Sequence, residues 1–279
     1  MYFPAFQDLG HPELLTIVAT LSFLSLLANY LLNLLPASLL KKTHLQEAES
    51  PPPVTVIICA RNEEDNLTAF LPAIMAQKYR EYEVVVVNDC SEDNTGNVVD
   101  ALAAKHPNLR KAEIKEDAYY KHGKKFAMLV GIKAARYDHL VFTDADCYPS
   151  SDQWLEQMAL GFAGEKEIVL GYGAYEKKEG LLNALIRYDT FSNGVFYLAA
   201  AVRKKPFMGV GRNLAYHRGL FFRNKGFSTH YHLKSGDDDL FINQVATASN
   251  TNVCVHPDAV TYSKPANSFR EWRLQKARH

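Results

Sequence analysis

Three short apolar runs, each closed by a polar cluster and followed by a helix-like pattern, constrain this chain more than any other feature. They are Val54-Thr55-Val56-Ile57-Ile58-Cys59-Ala60 before Arg61-Asn62-Glu63, Val84-Val85-Val86-Val87 before Asn88-Asp89, and Leu140-Val141-Phe142-Thr143 before Asp144-Ala145-Asp146. Continuous β-branched runs without polar alternation fit strands covered on both faces. Between them Leu67, Phe70, Leu71, Ile74 and Met75 recur at helical spacing, and residues 98–104 and 126–135 carry further helical patterns. Strands alternating with helices predict an α/β fold on a mainly parallel, doubly wound sheet. Ligands of such sheets sit outside the carboxyl ends of the strands, where all three polar clusters fall.

Asp144-Ala145-Asp146 has the most definite chemistry of the three. Residues i and i+2 of an extended segment share a face, so both carboxylates converge. Converging carboxylates repel unless a cation lies between them or one takes up a proton. Oxygen donors suit Mg²⁺ or Mn²⁺, which keep positions open for phosphate oxygens. An isolated Asp-x-Asp is far more often a polar loop after a strand, so its neighbours give it weight. The 279 residues carry no formal net charge, so nothing draws the chain to nucleic acid at long range and any anion site is local. Cys59, Cys90, Cys147 and Cys254 show no C-x-x-C spacing and fall on or beside expected strands. That is the pattern of buried, reduced thiols rather than a disulfide framework or zinc site.

Residues 14–40 contain no charged side chain, and residues 14–35 are dominated by Leu, Ile, Val, Ala and Phe. As a helix the latter span about 33 Å, enough for a bilayer core. The run is long, and it lacks a basic region before it and a small-residue cleavage site, which argues against a cleaved signal peptide. Asp8 and Glu13 precede it and Lys41 and Lys42 follow. The positive-inside rule then puts the rest of the chain on the cytoplasmic side of the cell's inner (plasma) membrane. The expected organisation is an anchor at residues 1–42, a proline-bearing linker at 43–53, and one cytoplasmic domain at 54–279.

Residues 54–66, 87–95, 123–127 and 142–146 together resemble the family 2 inverting glycosyltransferases, and the resemblance covers roughly Pro53 to the end of the chain. It implies the GT-A fold, a Rossmann-like sheet flanked by helices, here behind an N-terminal transmembrane helix. It implies that Ala60, Arg61, Asn62 and Glu63 line the nucleotide base pocket. Asp89 would accept a hydrogen bond from the base, an ionised carboxylate being acceptor-only; as a plain Asp it also suits a turn or cap. Asn88 stands where the family often has another aspartate. Lys124 matches a lysine near the donor phosphates, and Lys125 beside it reads as a solvated helix-start residue. Asp146 matches the more direct metal ligand, with Asp144 reaching metal or ribose.

In the second half, residues 154–162 read as a helix, 168–172 as a strand and 253–255 as a late strand. Residues 181–202 form a long apolar pattern, expected to pack on the sheet, with a membrane-facing or acceptor-facing surface as the alternative. Arg187 and Asp189 interrupt it, so it is no clean span. Gly209 and Gly211 mark a place where the backbone passes close to something, and resemble the family segment beneath the donor sugar. Arg212 beside them faces pyrophosphate or makes a surface ion pair. Aligning Asp239-Leu240 with the family's closing Asp-Leu puts Asp237 at the general-base position, with Asp238 as runner-up because Gly236 replaces the usual glutamate. Gln275 and Arg278, before His279, resemble the Gln-x-x-Arg-Trp motif of membrane-embedded members. A chain stopping on that motif predicts a longer natural protein with further membrane helices.

The resemblance thus implies a membrane-anchored, metal-dependent inverting glycosyltransferase that uses Mg²⁺ or Mn²⁺. Its donor would be a nucleotide-sugar, a UDP-sugar first, and its acceptor a lipid-linked or growing glycan. Two other readings place carboxylates similarly. A nucleotidyltransferase would release pyrophosphate, and a non-catalytic nucleotide-sugar-binding protein would bind donor without turnover.

Overall fold

A computed structural model describes residues 11–35, 51–116, 123–230 and 236–276. Helix α1 (His11–Asn29) runs on through a π-helical segment, Tyr30–Leu34. The stretch Pro12–Leu32 is long and apolar enough to cross a membrane, and none of it is buried against the rest of the protein. Lys41, Lys42 and most of the expected linker lie outside the described residues.

The predicted alternation follows: β1 (Val54–Ala60), α2 (Glu64–Met75), β2 (Tyr82–Asp89), α3 (Thr95–Ala103), β3 (Leu109–Ile114), α4 (Lys124–Ala134) and β4 (His139–Phe142). The second half comprises β5 (Cys147–Pro149), α5 (Trp154–Leu160), β6 (Ile168–Leu170), β7 (Gly173–Tyr175) and α6 (Leu181–Val202). It continues with β8 (Leu214–His217), α7 (Arg218–Arg223), α8 (Asp239–Val245), β9 (Thr251–Val253), β10 (Thr261–Ser263) and α9 (Phe269–Lys276).

Seven strands form the main sheet in the order β3-β2-β1-β4-β8-β6-β9. β3, β2, β1 and β4 are parallel, β8 runs antiparallel between β4 and β6, and β9 returns parallel to β6. The chain moves outward from β1 to β3 and comes back to β4 on the other side of β1. The switch point therefore lies between β1 and β4, where a ligand crevice opens at the carboxyl ends. A second sheet, β5-β10-β7, stands beside that edge.

The unbroken apolar strands are explained by their two covered faces. Val54, Val56, Ile58 and Ala60 of β1 pack with Leu67, Val99 and Trp154, whereas Ile57 packs with Met128 and Ile132 of α4. Successive residues serve opposite faces, so both parities are mostly apolar; the one buried hydroxyl of β1, on Thr55, donates to Glu83 Oε1 at 2.9 Å.

Several elements differ from expectation, among them the short strands β5, β8 and β10, which the sequence did not announce. β3, Leu-Arg-Lys-Ala-Glu-Ile, carries its charge on a sheet edge, where polar side chains reach water, and this hid it. Residues 168–172 are not one strand: β6 and β7 belong to different sheets. The chain breaks at Gly171, where an added Cβ would come within 2.5 Å of the Asn213 side chain. The late strand lies at Thr251–Val253, two residues before the expected one.

Candidate active site

The loops after β1 and β2 are tied together by side-chain caps. Asn62 takes a left-handed φ of 56°. Its N–H donates to Ser91 Oγ at 3.0 Å, while its Oδ1 accepts from Glu92 N at 2.8 Å. Glu63 N donates to Thr95 Oγ1 (2.8 Å) and Glu64 N to Asp93 Oδ2 (3.1 Å). The other Asp93 oxygen accepts from Thr95 N at 2.9 Å, so one carboxylate caps the starts of α2 and α3. Ala60 ends β1 beside Asn88 of β2, and Asp89 follows, 5 % exposed. Arg61 is exposed at the same rim.

At the switch point Lys124, the first residue of α4, gathers carboxylates from two distant parts of the sequence. Its Nζ lies 2.9 Å from Asp144 Oδ1, 3.5 Å from Asp237 Oδ2 and 3.6 Å from Asp238 Oδ2. Burial works against its ammonium, but Asp144, Asp238 and Asp237 outweigh this and hold its pKa well above the ordinary lysine value. Burial pushes Asp238 up to about 7, against the pull of Lys124 and with help from Asp237 and Asp144. Among the described residues nothing donates a hydrogen bond to the buried Asp238 Oδ1 or Asp237 Oδ2, the latter having only its ion pair with Lys124. Such atoms are costly unless a ligand or proton completes them.

Asp238 reaches this position across Gly211, where an added Cβ would come within 1.9 Å of Asp238 Oδ2. It lines a recess with Cys59, Lys124, Thr143 and Asp144. Burial drives the Cys59 thiol pKa strongly upward, so it stays protonated there. Lys125 corrects an expectation: it is 7 % exposed rather than solvated. Burial lowers its pKa while the Asp237 and Asp239 carboxylates work in the opposite direction.

Asp144, Asp146 and Cys147 bring their donor atoms within 4.8 Å of one another. Burial, and after it the Asp144 charge, pushes the Asp146 carboxyl up. Glu63 is raised by burial too, with Asp146 and Asp144 adding to the effect. This crowd of carboxylates is what a divalent cation would relieve. The donors fit one: the two carboxylates suit Mg²⁺ or Mn²⁺, whereas burial and the neighbouring carboxylates hold the Cys147 thiol well above its usual range, so it lines the site as a protonated neighbour.

A relay of side chains closes the site on the second-sheet side. Arg212 stacks over Tyr175, 4.6 Å from the ring centroid, and Gln275 Nε2 of α9 donates to Tyr175 OH at 3.0 Å. Thr143 Oγ1 and Thr261 Oγ1 donate to Arg212 O at 3.1 and 3.0 Å. Asn213 is fully buried. It accepts from Trp154 Nε1 (3.0 Å) and donates to Tyr172 O (2.9 Å) and Ala259 O (2.6 Å). α9 starts on a Ser-x-x-Glu capping pattern: Ser268 Oγ accepts from Glu271 N (3.2 Å) and Glu271 Oε2 from Asn267 N (2.9 Å).

Lys124, Asp144, Asp237 and Asp238 thus meet directly, with Asp146, Arg212 and Gln275 along the adjoining wall. Ala60, Arg61, Asn62, Glu63 and Asp89 stand at the same edge of the sheet. Arg278 and His279 lie outside the described residues. Sequence reasoning missed Cys147, Tyr175, Asn213 and the Cys59 floor. Only Cys147 carried a local signal, its adjacency to Asp146.

The "Glycosyl transferase family 2" model matches residues 55–222. The chain is 32% identical over 144 residues to glycosyltransferase AglE of Haloferax volcanii, covering 51% of this chain and 46% of that one. It is 30% identical over 99 residues to a poly-beta-1,6-N-acetyl-D-glucosamine synthase of Staphylococcus aureus, covering 36% of this chain and 23% of that one. The structure superposes on the mannosyltransferase PcManGT of Pyrobaculum calidifontis, solved with GDP-Man and Mn²⁺. The TM-score is 0.64 at 26% identity, covering 82% of this chain and 63% of the neighbour. The chain therefore spans less than two thirds of the length of each. The family match runs through Asp89, Lys124, Asp144, Asp146 and Arg212, more than half of the chain, and on that ground the chain belongs to glycosyltransferase family 2.

Proposed function

We propose that this chain transfers a sugar from a nucleoside-diphosphate donor to an acceptor hydroxyl with inversion at the anomeric carbon. The observation that carries the reading is Lys124, which holds Asp144 on one side and Asp237 and Asp238 on the other at the switch point. One cation thus adjoins both a diphosphate-side carboxylate and a pair suited to base catalysis.

Of the two base candidates, Asp238 is favoured over Asp237. It lines the recess with Lys124 and Asp144, and its pKa near 7 suits proton acceptance at neutral pH. Asp237 also faces Lys125. The base takes the acceptor proton as that oxygen bonds to the anomeric carbon, the bond to the diphosphate oxygen breaks, and the nucleoside diphosphate leaves. Lys124 and Arg212 stabilise the charge growing on the diphosphate. Asp144 and Asp146, with Cys147 beside them, would hold Mg²⁺ or Mn²⁺, which supplies Lewis-acid neutralisation of that charge when bound. The rim at Ala60–Glu63 and Asp89 would take the base of the nucleotide.

UDP-sugars remain the first donors to try; PcManGT was solved with GDP-Man, so GDP-sugars come next. The apolar α1 supports anchoring in the inner membrane with the site on the cytoplasmic side, and hence a lipid-linked or growing glycan acceptor. The test is product analysis with a panel of UDP- and GDP-sugars and Mn²⁺. Release of nucleoside diphosphate by wild type, lost in Asp238→Asn, is expected. Release of pyrophosphate from a nucleoside triphosphate offered with a sugar 1-phosphate, without diphosphate release from the nucleotide-sugars, would make the chain a nucleotidyltransferase. Metal-dependent donor binding without any turnover would make it a binding protein.

A further inference from the structure

Neither the fold nor the proposed reaction uses the outer face of α6. Its inner face is fully engaged. Tyr197 OH donates to Gly171 O at 2.6 Å and Asn183 Nδ2 to Glu176 O at 3.0 Å. Gly194 lies so close to Tyr172 that an added Cβ would come within 2.6 Å of the ring. These contacts brace the segment bearing Tyr175, and through it Arg212. On the opposite side Leu181, Leu185, Tyr188, Phe191 and Phe196 point outward, with Leu181 and Tyr188 each 71% exposed. Their spacing sets them along one stripe of the helix. A contiguous stripe of leucines and aromatic rings is a docking surface rather than a solvated face.

The structure indicates what meets it. The segment Tyr30–Leu34 at the end of α1 lies against α6, and Tyr30, Leu31 and Leu32 are themselves exposed. The apolar surface of α1 therefore continues onto α6. Arg203, Lys204 and Lys205 follow α6 and form a cluster of cations at one end of the stripe, while Lys177 and Lys178 before it stand between Glu176 and Glu179. An apolar stripe that ends in a cluster of lysine and arginine matches an anionic lipid surface. α9 joins the same side: its Lys276 pairs with Asp189 of α6, and its Phe269 and Leu274 are each 55% exposed.

We infer that α6 lies flat in the membrane interface, its outer stripe among the lipid chains and its inner face carrying one wall of the active site. The inference rests on α1 spanning the bilayer. A helix lying in this way sinks its apolar face about 5–10 Å into the headgroup and acyl boundary. The site wall then stands about one helix diameter, roughly 10 Å, from lipid, so an acceptor held by a lipid tail reaches the site without leaving the membrane.

The test uses the full chain in lipid nanodiscs, with Trp272→Phe as background and Trp154, 0% exposed, as silent internal residue. One reporter is added at a time: Phe191→Trp on the stripe, Leu24→Trp in α1, or Phe222→Trp on α7, away from both. Lipids brominated near the headgroup end of the acyl chain should quench more than half of the added Phe191→Trp emission and leave Phe222→Trp unchanged. Lipids brominated deeper should quench Leu24→Trp. An unquenched Phe191→Trp beside a quenched Leu24→Trp overturns the inference and leaves the anchor standing. If Leu24→Trp is unquenched as well, the anchor reading falls and this inference with it. A blue-shifted but unquenched Phe191→Trp that crosslinks between copies assigns the stripe to a second copy of the chain, and also overturns it.

Discussion

The two halves of the sheet bring residues to one edge by different means. On the β3-β2-β1-β4 side the site residues other than Lys124, which opens α4, lie at or just after the ends of their strands, and short caps such as Asp93 and Thr95 fix the loops. On the β8-β6-β9 side the site is assembled by relays: Gly211 admits Asp238, Asn213 pins the turn, and Gln275 holds Tyr175 under Arg212. The first half delivers charge by position in sequence. The second delivers it by packing, so its residues depend on neighbours far along the chain.

The largest effect expected from that contrast is at the base. Asp238→Asn should lower kcat by about 10²–10⁴-fold, the usual contribution of a positioned base, and Asp237→Asn by less; the reverse order would restore Asp237 to the role. The kcat/KM profile should rise with pH and level off above about 7, where Asp238 is ionised. Stability moves the other way. A carboxyl raised from 3.8 to about 7 binds its proton more tightly in the folded state, so its contribution to stability falls as pH rises through that window. Asp238→Asn should therefore gain more in Tm over wild type above the window than below it, in paired thermal melts.

Lys124→Met removes the charge shared by both halves and should cost about 10²–10³-fold in kcat, as loss of a transition-state charge partner does. An unchanged kcat would leave the cluster a structural ion-pair network.

Gly211→Ala tests the relay half alone. Its methyl group collides with Asp238, so activity should approach that of Asp238→Asn while overpacking destabilises the fold by about 1–3 kcal/mol. A Gly211→Ala protein with wild-type kcat, measured beside a chemical melt, would show that Asp238 need not occupy this recess.

The smallest effect expected is at Gln275→Ala, which deletes one hydrogen bond to Tyr175. A bond of this kind contributes about 0.5–1.5 kcal/mol, so the donor KM should rise a few-fold with kcat nearly unchanged. A collapse of kcat instead would place Gln275 at the reacting atoms and blur the contrast between the halves.

What could be read from the sequence divides along the same line. Parallel strands buried on both faces are apolar at nearly every position, Thr55 and Glu83 being joined by a hydrogen bond of their own, so β1, β2 and β4 and the polar residues that end them stand out in a linear reading. The α6 helix, at residues 181–202, and the Asp-rich start of α8 are legible for a similar reason, since helical periodicity and an acidic first turn are local properties. β3 is hidden by its edge charges, and β8 by its short length and its antiparallel insertion between β4 and β6. Lys125 is misread because one residue of offset at a helix start decides between water and core, and that depends on what packs there.

The sequence by itself determined the sheet class, the edge where its polar clusters fall, the apolar N-terminal helix and the acidic clusters, because each is a property of neighbouring residues. Only the tertiary structure decided that Lys124 holds Asp144 beside Asp237 and Asp238, that Asp238 rather than Asp237 lines the recess, and that Cys147 Sγ lies within 4.8 Å of the Asp144 and Asp146 carboxylates. Those meetings depend on strand order, on the space left at Gly211 and on hydrogen bonds across distant segments, none of which is encoded in local spacing.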